Sequence, residues 1–144
     1  MLFTIRPMTF ETNSSNTHSL IVLPYEDYER WAKGDLYYFN PIWRWPDGYY
    51  GALKPKVGEL YTKEEVLKIF NAVPEYKKDL EEIREKFEDD DDFECERDDF
   101  FCEEGMILFD KWVPEDSYLS VDKNEFVTKS GERYVIRCKY GRDD

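Results

Sequence analysis

Histidine is almost absent from this chain of 144 residues, with His18 the only one. Mechanisms that need two imidazoles in one chain are therefore excluded. Cysteine is scarce too. Cys95, Cys102 and Cys138 are an odd number without close metal-ligand spacing, which fits free thiols in a reducing compartment and leaves no metal centre to expect. Apolar runs fall short of the roughly 20 residues that a membrane span requires, and the first residues lack a signal-peptide pattern. The expectation is a cytoplasmic chain with no membrane contact. Positive charge is in deficit: 20 basic residues face 33 acidic ones, for a net charge of −13 and a pI near 4.6. Phosphates would be repelled, so direct binding to nucleic acid or anionic lipid is not expected. Basic proteins, metal ions and small molecules remain as partner classes.

Aromatic residues make up 17% of the chain and hydrophobic ones 41%, enough for a core and contrary to disorder along the whole length. The length suggests one domain over residues 1–144. The charge is concentrated: residues 75–104 hold 16 acidic and 5 basic side chains, a net of −11. The rest of the chain is close to neutral, so one intensely acidic segment is set into an ordinary domain.

Strands are expected at Leu2–Ile5, Ser19–Leu23 and Leu36–Phe39. Tyr28 and Trp31 at helical spacing, closed by Gly34, predict a short helix over Tyr25–Lys33. Thr62 with Glu65 is a capping box that opens a helix ending or bending at Pro74. Tyr76, Leu80, Ile83 and Phe87 carry a second amphipathic period. From Glu88 to Asp99 no period is evident. Met106–Phe109 with Trp112 and Val113 reads as a core strand, followed by short strands at Tyr118–Val121 and Phe126–Thr128. A turn at Lys129–Glu132 then leads into Tyr134–Cys138 and completes a hairpin. The expected class is α+β, a largely antiparallel sheet with two or three helices.

Three stretches could carry chemistry. The run from Glu11 to Ser19 is polar and reads as a loop. Its hydroxyls and amides either satisfy backbone groups in an irregular turn or turn toward an anion, with His18 and Glu11 as a minimal acid–base pair. No second base, metal cluster or glycine-rich phosphate loop accompanies it, so Ser14, Ser15 and Ser19 gain no warrant as nucleophiles. The second stretch is the acidic tract, with Glu88, Asp89, Asp90, Asp91, Asp92, Glu94, Glu96, Asp98 and Asp99. Its carboxylates are packed closely enough to stand in for one strand of DNA phosphates. It is equally a candidate solvated loop that aids solubility. Calcium is the weaker alternative, because the glycine and terminal glutamate of an EF-hand are missing. The third stretch, Asn40–Pro55, is an aromatic loop containing Trp43, Trp45 and Tyr49. It is either a recognition surface or a cover for a small core.

Phe10-Glu11-Thr12-Asn13-Ser14-Ser15-Asn16-Thr17-His18-Ser19-Leu20 closely resembles the FETNSSSTHSL-type signature of a family of small proteins. That family belongs to bacteriophages and other mobile elements of low-GC Gram-positive bacteria. Residues 28–36 and the terminal hairpin through Ser130-Gly131 to Tyr140-Gly141 resemble it as well. The chain departs at Asn16, where serine is more usual, and in its long acidic insert. The resemblance implies a phage or mobile-element origin and assigns no catalytic residues. Joined to the charge, it gives the leading expectation of an acidic binding protein without cofactor. Such a protein would occupy the basic surface of a host nucleic-acid-binding defence protein, a CRISPR effector being one, by DNA mimicry. The alternative is a small enzyme or phosphate-binding domain built on residues 11–19.

Overall fold

All four residues of the strand Leu36–Phe39 (β3) are buried. A strand can be apolar at successive positions only when both of its faces are covered, and β3 meets that condition. The computed structural model describes residues 9–11, 16–40, 55–113 and 119–142. Within it, Tyr37 and Phe39 join one buried cluster with Val66, Phe70, Tyr76, Phe101 and Met106. Leu36 and Tyr38 join the other, with Ile21, Leu23, Tyr28, Trp31, Trp112 and Val135.

Two antiparallel sheets arise from this arrangement. The smaller has β3 at its centre, flanked by Leu60–Thr62 (β4) and Met106–Ile107 (β5). The larger has four strands in the order Thr9–Glu11 (β1), Asn16–Pro24 (β2), Arg133–Arg142 (β7), Ser120–Val127 (β6). The helix Tyr25–Ala32 (α1) contacts β2 and β7 on one side and β3 on the other. Trp31, fully buried, donates from its indole Nε1 to the Ile107 carbonyl at 3.2 Å. Its ring meets Tyr28, Tyr38, Phe109 and Trp112 within 6.2 Å. The opposite face of the small sheet is covered by Lys63–Ala72 (α2) and by Asp90–Glu103 (α4), which packs on β5. Between these two in sequence, Pro74–Lys86 (α3) contacts both α2 and α4.

Local signals set several boundaries. Thr62 accepts from the Glu65 amide at 3.2 Å and Glu65 accepts from the Thr62 amide at 3.0 Å, so the capping box is complete. Pro74 occupies the first turn of α3, where its missing N–H is no loss. Gly34 follows α1 at φ +87°, a conformation that favours glycine over any residue with a Cβ.

The α+β class and the antiparallel pairing are as the sequence predicts, but five differences stand out. Among the described residues the strands form two sheets, and four α-helices are present where two or three are expected. The fourth helix is the acidic tract itself, α4, with Glu88 and Asp89 just ahead of it. The polar run expected as a loop supplies strand at Glu11, Asn16 and Thr17, because β2 pairs with β7 along its entire length and a backbone ladder does not need apolar side chains. Met106–Phe109 forms only a two-residue strand, and Phe109–Lys111 coils into a 3₁₀ turn that presents Phe109 to Trp31. Finally, Ser120–Val127 is one unbroken strand. The strand expected at Leu2–Ile5 lies outside the described residues, as do positions 41–54 of the aromatic loop.

Candidate functional site: the acidic helix

Glutamate and aspartate crowd α4, yet the segment is helical for definable reasons. Asp89 caps it, accepting from the amides of Asp91 and Asp92 at 2.9 and 3.2 Å. Asp90, Asp91 and Asp92 fill the first turn, where the exposed N–H groups and the helix dipole favour negative charge. The inward stripe is Phe93, Arg97, Phe101 and Glu104, spaced by four, four and three. Arg97 is buried, with its guanidinium 5.7 and 5.8 Å from the ring centroids of Phe93 and Phe101. A cation thus fills a slot that apolar side chains hold elsewhere, and this hides the helical period in the sequence.

Several carboxylates of the tract are committed to the fold. Asp98 Oδ1 accepts from the Tyr37 hydroxyl at 2.9 Å and lies 3.5 Å from Arg97 Nη2. Burial, and secondarily the Asp98 charge, push the Tyr37 hydroxyl well above the usual tyrosine range. Tyr38, which faces the other cluster, is pushed up to about 12 by burial. Buried Glu104 accepts from the Tyr76 hydroxyl at 2.7 Å. Asp99 pairs with Lys111, and Asp90 pairs with Arg84 at 2.9 Å. Arg84 also lies 4.7 Å from the Phe93 ring centroid, which ties α3 to α4.

Glu88, Asp91, Asp92, Glu94 and Glu96 are the remainder. All five are exposed and none forms an ion pair among the described residues. Beside them, α3 presents exposed Glu75, Asp79, Glu81, Glu82 and Glu85. With a rise of about 1.5 Å per residue, the 14 residues of α4 span about 21 Å and carry one carboxylate per about 2.6 Å. Duplex DNA carries about one charge per 1.7 Å counting both strands and about one per 3.4 Å on each strand. The acidic helix falls between these densities.

The other predicted residues are placed differently. Glu11 sits on β1 opposite Thr17, and His18 sits on β2 opposite Phe10, so the two are not cross-strand partners. Ser19 is buried, with no hydrogen-bond partner for its hydroxyl among the described residues. Trp43, Trp45 and Tyr49 lie outside the described residues, as do Ser14 and Ser15. Arg97, Glu104 and Lys111, which tie the acidic helix to the fold, are not legible as such in the sequence. The spacing from Phe93 to Phe101 would have found Arg97 had a cation been admitted into the stripe.

An open groove of about 440 Å³ between β2, α1 and β4 is lined by Asp27, Arg30, Glu59 and Glu65 among others. Its lining hydroxyl, Thr62, is taken up in the N-cap of α2. Among the described residues no cluster of three metal-binding side chains is present, and no helix is long and apolar enough to cross a membrane. The chain matches no protein-family model, no curated protein and no solved structure.

Proposed function

We propose that this chain is a phage- or mobile-element-encoded acidic binding protein that inhibits a host nucleic-acid-binding defence effector. It presents carboxylates where that effector expects phosphates, in the manner of a DNA-mimicking anti-CRISPR protein. The reading rests chiefly on the carboxylates of α4, most of them exposed, whose mean axial spacing with all eight counted lies between those of single and double phosphate strands. The arrangement is preformed, because the N-cap at Asp89 and the internal bonds of Asp98 and Glu104 fix the helix. A preformed surface does not pay the ordering entropy of a disordered acidic tail. The resemblance of residues 10–20 supplies the phage origin, and with it the cytoplasm of a bacterial host as the place of action. Trp43, Trp45 and Tyr49 are proposed as further partner-binding residues, on residue type alone. No cofactor, nucleic acid or membrane takes part.

The test is capture of basic proteins from host lysate by the wild-type chain and by a variant with Asp89, Asp90, Asp91 and Asp92 replaced by Asn or Ser. The variant keeps a capping side chain at position 89 and loses four charges. Affinity for the captured protein should fall by at least about tenfold, about 1.4 kcal/mol. It should also weaken as salt rises, since facing charges are screened within about 8 Å at physiological ionic strength. Equal affinity of the two proteins at low salt would remove these carboxylates from the mimic.

A further inference from the structure

Strand β6 ends the larger sheet, hydrogen-bonded to β7 along one edge only among the described residues. Its eight residues, Ser-Val-Asp-Lys-Asn-Glu-Phe-Val, run without proline and without a break in register from Ser120↔Tyr140 to Val127↔Arg133. Seven of the eight are exposed. Two of them, Val121 at 39% and Val127 at 64%, are exposed large hydrophobic residues. A long, regular edge is a template for another strand unless something blocks it.

The backbone fixes which residues face outward. At the hairpin, the Thr128 amide donates to the Glu132 carbonyl at 2.8 Å, which makes Thr128 and Glu132 a hydrogen-bonded pair. Such pairs recur at every second residue of an antiparallel ladder. Phe126, Asn124, Asp122 and Ser120 therefore spend their backbone groups on β7. Those of Val127, Glu125, Lys123 and Val121 point to the open edge. A strand that docks there must pair with these four residues.

We propose that the occupant is β6 of a second copy of this chain, paired antiparallel about a two-fold axis at Asn124. In this register Lys123 lies opposite Glu125 of the other copy, and Val121 lies opposite its Val127, each pair occurring twice. About eight backbone hydrogen bonds close the seam. Opposite charges and apolar side chains facing one another favour cross-strand pairing. Moving the axis by one residue loses this: at Lys123 it sets lysine against lysine, and at Glu125 glutamate against glutamate. A lone lysine on an edge usually discourages pairing, but here Glu125, 3.8 Å from Lys123 and 2.7 Å from Arg133 within the chain, offsets its charge. Because the contact uses the same patch on both copies, it closes as a dimer and does not propagate. The two four-stranded sheets become one of eight strands, a result independent of the acidic helix and of its proposed partner.

Sedimentation equilibrium of the full chain in physiological salt, from about 5 to about 500 μM, should show a monomer–dimer equilibrium. Lys123→Glu should raise the dimer dissociation constant by at least about tenfold, and the exchange of Lys123 with Glu125 in one chain should restore it. Val127→Asp, at a position open in the monomer, should also weaken the dimer while leaving the melting temperature of dilute protein unchanged. A wild-type chain that stays monomeric throughout this range overturns the proposal. So does a Lys123→Glu or Val127→Asp variant that dimerises like wild type, or a folded charge-exchange variant that does not regain the dimer.

Discussion

The Tyr37 hydroxyl donates to Asp98 at 2.9 Å, linking the central strand of the small sheet to the middle of the acidic helix. One carboxylate of a tract that reads as solvated is thereby a fastening point of the core. Tyr37→Phe removes the donor and leaves a carboxylate that is only 22% exposed without it. Denaturant unfolding should show a loss of about 1–2 kcal/mol with an unchanged slope.

The same pair sets an alkaline limit. Tyr37 and Tyr38 have hydroxyls raised above the ordinary value of 10.0. In the unfolded chain both lose a proton near pH 10, while the folded chain retains it, so their contribution is complete below pH 10 and is lost as pH rises. Melting temperature should therefore decline between about pH 10 and 12, and less steeply in Tyr37→Phe. Absorbance of ionised tyrosine should show part of the titration delayed above pH 10 in the folded protein and returned to near pH 10 in denaturant.

Asp89 supports α4 through its side chain. Asp89→Ala should cost about 1 kcal/mol, while Asp89→Ser and Asp89→Asn should be close to neutral. Asp91→Ala removes a charge from the same turn without removing the cap, so its smaller effect on the melting temperature separates capping from charge.

Arg97 is buried, and its Nε has no hydrogen-bond partner among the described residues. Arg97→Met keeps the volume against Phe93 and Phe101 and should change stability by no more than about 1 kcal/mol in either direction. Arg97→Ala leaves a cavity under both rings and should cost about 2 kcal/mol or more. Chemical denaturation of the two variants side by side reads the difference.

The three cysteines are free: Cys95 is exposed, and Cys102 and Cys138 are half-buried. Burial raises the Cys102 and Cys138 thiols above their usual value, which lowers the reactive thiolate fraction. A thiol reagent at pH 8 should label Cys95 first and the other two slowly. The melting temperature should not respond to dithiothreitol.

Legibility in the sequence followed the range of the signal. The capping box at Thr62 and Glu65, the turn at Gly34 and the helix break at Pro74 depend on neighbours a few residues away. All three are where the residues place them. The strand at Asn16–Thr17 depends instead on a partner at Gly141–Arg142, and no local composition announces it. The acidic helix was hidden because Arg97 sits where an apolar residue would complete the stripe. As for the candidate site, its charge was evident, while the division between fold-bound Asp98 and Asp99 and open Asp91, Asp92, Glu94 and Glu96 needed Tyr37 and Lys111 in place.

The pairing of β2 with β7 joins Asn16 to Arg142 and Pro24 to Tyr134. During translation, β2 has no strand on that side until Arg133–Arg142 has left the ribosome. Ile21 and Leu23, buried in the folded molecule, share a cluster with Val135, which is made more than 100 residues later. Loop closure over such separations slows folding relative to local helix pairing. The helices from Lys63 to Glu103 meet nearby partners, whereas the large sheet closes only across this long separation, and a chain shortened before Arg133 loses both β7 and the attachment of β6.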